Sequence, residues 1–136
     1  MIDLVVDTSV AVPLLLTSHQ AHGAVDASIG ERSVALAGHA ANETYAVLTR
    51  LPGDARLSPG DALRLLDARF EPPVMLDAES ARAAFAVLAD LDIAGGATYD
   101  GLIALAAKQS GRPLASRDRR AESTYRRLGV DVQLLG

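Results

Sequence analysis

Leu4-Val5-Val6-Asp7-Thr8-Ser9 is the stretch from which the rest of the chain is read. Ile2 to Val6 is apolar and rich in β-branched side chains, the pattern of a short buried strand. Asp7 ends the run. In an open α/β sheet, a carboxylate just past the end of a core strand lies in the crevice where such sheets bind ligands. Thr8 and Ser9 then offer hydroxyls to cap the next helix, with Val10 to Leu16 as its apolar face. Taken alone, Asp7 reads as a turn residue or a helix cap. Three later acids at comparable places, Glu43, Asp100 and Asp118, change that reading.

Working outward from Asp7, strands and helices alternate. A polar helix is expected over His19–Ile29 and a second strand over Ser33–Ala37, ended by Gly38. From His39 to Leu51, Ala40, Ala41, Val47, Leu48 and Leu51 recur at helical spacing, and Pro52-Gly53 is the stop. Glu43 falls in the first turns of that helix. Ser58-Pro59 opens a helix with Leu63, Leu65, Leu66 and Phe70 as its buried stripe; Pro72-Pro73 ends it, and Val74–Leu76 reads as the third strand. Asp77–Leu91 reads as a helix with Ala81, Ala84, Phe85, Leu88 and Leu91 inward.

After a loop containing Gly95-Gly96, Thr98 is expected to cap a helix over Tyr99–Ser110, closed by Gly111, with Asp100 in its first turn. Pro113–Ala115 is the fourth strand candidate, followed by Ser116-Arg117-Asp118. A last helix near Arg120–Leu128 stops at Gly129, and Val130–Leu134 can add a fifth strand. This rhythm predicts one α/β domain over residues 1–136, a Rossmann-like parallel sheet of four to five strands with helices on both faces. With strand order three, two, one, four, five, strands one and four are neighbours about 4.8 Å apart. Asp7 and Asp118 then flank the switch point, with Glu43 and Asp100 entering from adjacent helices.

Bulk properties narrow the chemistry. A chain of 136 residues with 49% apolar and 4% aromatic residues suits one helix-rich α/β core. The absence of cysteine excludes disulfides and thiolate metal sites. Neither a secretory leader nor a membrane-spanning apolar run is visible, so a soluble cytoplasmic protein is expected. The formal net charge of −4 argues mildly against a nucleic-acid partner. Its distribution argues the other way. Five arginines, among them Arg117, Arg119 and Arg120, fall between positions 117 and 127. They can line a phosphate path or simply form a solvated helix face.

Two unit charges 4 Å apart repel by about 4 kcal/mol at an effective dielectric near 20, so four converging carboxylates must protonate or bind cations. Oxygen ligands without His or Cys select magnesium or manganese over zinc. The three histidines, His19, His22 and His39, lack metal-ligand spacing to one another and read as surface or helix-start residues. A hard-metal site suits phosphodiester hydrolysis, because the metal polarises the phosphate and acidifies water without a protein nucleophile. Ser9 and Ser116 are not in a nucleophile-elbow sequence and have no placed histidine base; they are expected to hold carboxylates by hydrogen bonds.

Four segments, Val5-Val6-Asp7-Thr8-Ser9-Val10, Asn42-Glu43, Tyr99-Asp100-Gly101-Leu102-Ile103-Ala104 and Ala115-Ser116-Arg117-Asp118-Arg119-Arg120, together resemble the PIN-domain ribonucleases, and most of all the VapC toxins of VapBC toxin-antitoxin pairs. The resemblance spans the whole chain. It implies Asp7, Glu43, Asp100 and Asp118 as acids around magnesium, with manganese as a substitute, and Ser9 and Ser116 as supporting hydroxyls. It also implies endoribonuclease activity on RNA, a homodimer, and inhibition by a cognate VapB-type antitoxin whose tail occupies the acidic cleft. Leucines of the first two helices can form a groove for that partner or be ordinary core. The competing reading is a catalytically weak PIN-like module that binds RNA or protein. Receiver domains and haloacid-dehalogenase-like phosphatases are disfavoured, since Arg117 stands where the first needs lysine and Ser9 where the second needs aspartate.

Overall fold

The computed structural model describes residues 1–136. Its centre is one parallel sheet of β1 (Leu4–Val6), β2 (Val34–Ala37), β3 (Glu71–Val74), β4 (Leu114–Ser116) and β5 (Val132–Leu134), in the order β3-β2-β1-β4-β5. The helices are α1 (Thr8–Leu15), α2 (His22–Ile29), α3 (His39–Thr49), α4 (Pro59–Arg69), α5 (Ala78–Asp90), α6 (Ala97–Ser110) and α7 (Arg119–Arg127). From β1 to β3 the chain steps one way across the sheet, and from β4 to β5 the other. Right-handed crossovers therefore put α1 to α4 on one face and α5 to α7 on the opposite face. All residues of β1 and β4 are buried, and a continuous core of 29 residues runs through the sheet into both helix layers.

The strand order matches the expectation from the sequence; several details do not. β3 contains Pro72 and Pro73, which the sequence reading used as a helix stop ahead of a strand at Val74–Leu76. An edge strand tolerates prolines because its outward positions need no ladder donor, and β3 is an edge. In α4, Leu63 is exposed and Ala62 is the buried residue; in α5, Ala81 and Phe85 face solvent while Ala84 and Leu88 are buried. α4 packs on α3 and α1, and α5 on α6, each burying only one or two residues. α2 begins at His22 instead of His19, and α6 begins at Ala97, so Thr98 lies within the helix and does not cap it. Leu14 and Leu15 of α1 are core. Ser58 and Asp77 cap α4 and α5, each side chain accepting a backbone N–H three residues on.

Two glycines set the spacing of the elements around the sheet's carboxyl edge. Gly38, between β2 and α3, has φ +53° and ψ −126°, a combination open to glycine and strained for any L side chain. A Cβ there would also lie 3.1 Å from Ala106 Cβ and 3.2 Å from the Leu102 carbonyl. Gly101, next to Asp100, lets α6 approach Leu88 of α5 so closely that a Cβ would meet its Cδ2 at 2.5 Å.

Candidate active site

Val6 pairs with Ala115 in the sheet register, so Asp7 and Ser116 fall opposite each other where β1 and β4 end. The Ser116 hydroxyl accepts the backbone N–H of Asp118 at 3.0 Å and donates to Asp7 Oδ2 at 2.6 Å. The Ser9 hydroxyl accepts the N–H of Arg117 at 2.7 Å and donates to Asp7 Oδ1 at 2.6 Å. Each serine thus links the loop after β4 to the carboxylate after β1, and its proton is committed to Asp7. Neither is free to serve as a nucleophile, in accord with the supporting role expected of them. The expectation that Thr8 and Ser9 cap α1 is not met: Asp7 occupies the cap position.

Tyr125 completes the cradle. Its hydroxyl donates to Asp7 Oδ2 at 2.8 Å from α7, and the ring is buried in the core. Burial and the Asp7 charge push the phenol well above its ordinary range, so it stays a donor. Sequence reasoning passed over this residue. The signal was present: Ala121, Thr124 and Tyr125 form the inward stripe of an otherwise charged helix, and a buried phenol needs a partner. Three hydroxyls thus donate to Asp7, two to Oδ2 and one to Oδ1. Burial raises the Asp7 pKa, opposed by the bonds from Ser116, Ser9 and Tyr125 and by the Val10 N–H.

Asp7, Glu43, Asp100 and Asp118 line one cavity of about 200 Å³, together with Thr8, Ser9, Ile103 and Tyr125. α3 brings Glu43 to it, and the first turn of α6 brings Asp100. Asp118 is also the cap of α7, accepting the N–H groups of Arg120 and Ala121, and the Arg120 guanidinium lies 3.5 Å away. Arg119 and Arg120 are exposed at the rim, whereas Arg117 is fixed to Ser9 through its backbone.

The electrostatics of the cavity are those of excess negative charge. Asp100 is pushed up to about 6, first by partial burial and then by the charges of Asp118, Asp7 and Glu43, with Arg120 opposing. A folded-state pKa above the unfolded value of 3.8 means that the folded protein holds the proton more tightly between those values. Stability is therefore expected to rise as the pH of the metal-free protein falls from 7 to about 5. Thermal unfolding in chelator across that range checks this, and Asp100→Asn should flatten the profile.

The donor set fits a hard divalent cation. All groups are oxygen donors, the charges of Asp118, Asp7 and Glu43 raise the proton affinity of Asp100, and the buried Thr8 hydroxyl at the cavity has no protein partner. No three acids stand close enough to hold one ion among themselves. Contact through water suits magnesium, which keeps several waters and takes one or two carboxylates directly.

Residues 4–127 match the family model of the PIN domain, and the chain belongs to the PIN-domain family. Within it, the chain is similar to ribonuclease VapC27 of Mycobacterium tuberculosis (strain ATCC 25618 / H37Rv), at 54% identity over 95% of this chain and 94% of that one. Ribonuclease VapC40 of the same species (strain CDC 1551 / Oshkosh) is 45% identical over 95% of this chain and 96% of its own length. Among solved structures, VapBC2 from Rickettsia felis bound to a promoter DNA fragment superposes with a TM-score of 0.68 at 14% identity, covering 100% of both chains. The sarcin-ricin-loop-cleaving toxin VapC20 of M. tuberculosis gives 0.65 at 19% identity, over 89% of this chain and 94% of that one. These two likenesses show the fold. No helix of the chain is long and apolar enough to cross a membrane.

Proposed function

We propose that this chain is a magnesium-dependent endoribonuclease and the toxin of a VapBC-type pair. The observation that carries the reading is the cavity in which four carboxylates from four separated segments meet, with the buried one held by three hydroxyl donors. The names of the relatives support nuclease chemistry, and the structural likeness to VapBC2 supports an antitoxin partner.

Asp7, Glu43, Asp100 and Asp118 would hold the ion, directly or through water. Magnesium or manganese, when bound, supplies positive charge to the scissile phosphate and lowers the pKa of water so that it attacks at neutral pH. The chain's own residues do the rest. Ser9, Ser116 and Tyr125 fix Asp7 in one orientation. Arg119 and Arg120 offer guanidinium groups to the phosphates on either side, which the acidic cavity would otherwise repel.

Incubation of the antitoxin-free protein with total bacterial RNA and magnesium or manganese, followed by mapping of the new ends, tests the reading. Discrete cuts that chelator abolishes are expected; intact RNA under all metal conditions would overturn it. Magnesium or manganese should also raise the melting temperature, by about 3 kcal/mol of added stability at a hundredfold excess over Kd. Potassium at matched ionic strength should not, and an equal response to both would remove the metal from the site.

A further inference from the structure

We propose that His39 and Tyr99 form a stacking platform for an unpaired base of the RNA strand that enters the acidic cavity. The proposal deepens the nuclease reading and rests on it for the identity of the strand. The two rings stack on each other with centroids 4.6 Å apart and planes 26° apart.

Helical spacing puts the pair beside the site. His39 lies four residues before Glu43 on α3, and Tyr99 four residues before Ile103 on α6; Glu43 and Ile103 both line the acidic cavity. Residues at this spacing share a helix face. The stack therefore sits one turn up from the cavity, at the N-terminal ends of both helices, and Tyr99 is the immediate neighbour of Asp100. Tyr99 is 51% exposed, so its ring is open to solvent despite the stack. An aromatic held open by a second ring costs little to order further and presents a π-face to any base.

Beyond His39 lies a second cavity of about 230 Å³, lined by Met75, Leu76, Ala81 and Leu102, with the Asn42 amide among its walls. It is apolar where a base face needs it, and the exposed amide supplies a donor and an acceptor for a base edge. Duplex RNA cannot use such a site, since its bases are already stacked. The occupant is thus a base of a single strand or of a splayed loop.

The test uses the full chain carrying Asp100→Asn, so that binding is read without cleavage. The probe is a single-stranded RNA oligonucleotide with a fluorescent 2-aminopurine, titrated in magnesium buffer. Tyr99→Leu keeps apolar bulk but removes the ring, and is expected to weaken binding about tenfold and to abolish quenching of the probe. Tyr99→Phe should stay within about twofold of the parent, because the ring carries the effect. The RNA in duplex form should bind more weakly to the parent than the single strand does, and should not respond to Tyr99→Leu.

Equal single-strand affinity for the parent and Tyr99→Leu at matched melting temperature would overturn the proposal, as would a duplex bound as tightly as the single strand. Should Tyr99→Leu disturb the fold, His39→Leu removes the supporting ring, and unchanged RNA affinity in that variant would overturn the proposal equally. RNA cleavage by the wild type with binding indifferent to Tyr99 removes the platform and keeps the nuclease. Tyr99-dependent binding with no cleavage under any metal condition keeps the platform and removes the nuclease.

Discussion

Asp100→Asn is expected to reduce metal-dependent RNA cleavage at least about 10-fold while leaving the protein folded, because loss of even an indirect metal partner costs about 10- to 100-fold. The substitution removes a charge without changing shape, and it removes the acid that the other three oppose most: Asp118, Asp7 and Glu43 all push its pKa up. The same repulsion sets the sign of a second readout. Without metal at pH 7, the variant should melt higher than wild type, since a destabilising charge has gone. With magnesium the order should narrow or reverse, because wild type gains the ion. Cleavage assays and melting curves with and without metal check both signs. Wild-type cleavage by the variant would take Asp100 out of the site.

Gly38→Ala is expected to destabilise the fold by about 3 kcal/mol, lowering the melting temperature by about 10 °C. Two causes add. The backbone at φ +53°, ψ −126° is open to glycine alone, and the new methyl would press against Ala106 Cβ and the Leu102 carbonyl, both on the helix that carries Asp100. Relief of that contact must shift α3 against α6, which separates Glu43 from Asp100. Chemical denaturation measures the first effect, and cleavage by the fraction that stays folded measures the second. A change below about 0.5 kcal/mol would mean that the turn relaxes without strain.

Much of this site was legible in the sequence because its parts are local. Asp7 follows a buried apolar run, Asp100 sits in a first helical turn, and Asp118 sits just past a strand and caps a helix. Each position is fixed by its own few neighbours. Strand alternation also implied a parallel sheet, and the order β3-β2-β1-β4-β5 taken as its condition is the one the structure has.

The misreadings share a physical cause. Phe85 and Leu63 were placed inward by helical spacing, yet each lies on a helix that packs on other helices and buries only one or two residues. Periodicity reports that a stripe exists; which residues of a broad apolar face touch the core depends on how closely the helix approaches. Pro72 and Pro73 read as a stop because a central strand cannot hold them, and whether a strand lies at an edge is a property of the whole sheet.

The sequence alone determined the strand-helix rhythm, the absence of soft metal ligands, and four acids at the ends or beginnings of elements, because these follow from composition and from neighbours along the chain. Only the tertiary structure decided that Ser9, Ser116 and Tyr125 all donate to one carboxylate. It also decided that His39 meets Tyr99 and that Gly38 fixes the approach of α6. Apart from Ser9 and Asp7, two positions apart, those contacts join residues 60 to 118 positions apart, and no local propensity encodes a pairing that only packing brings about.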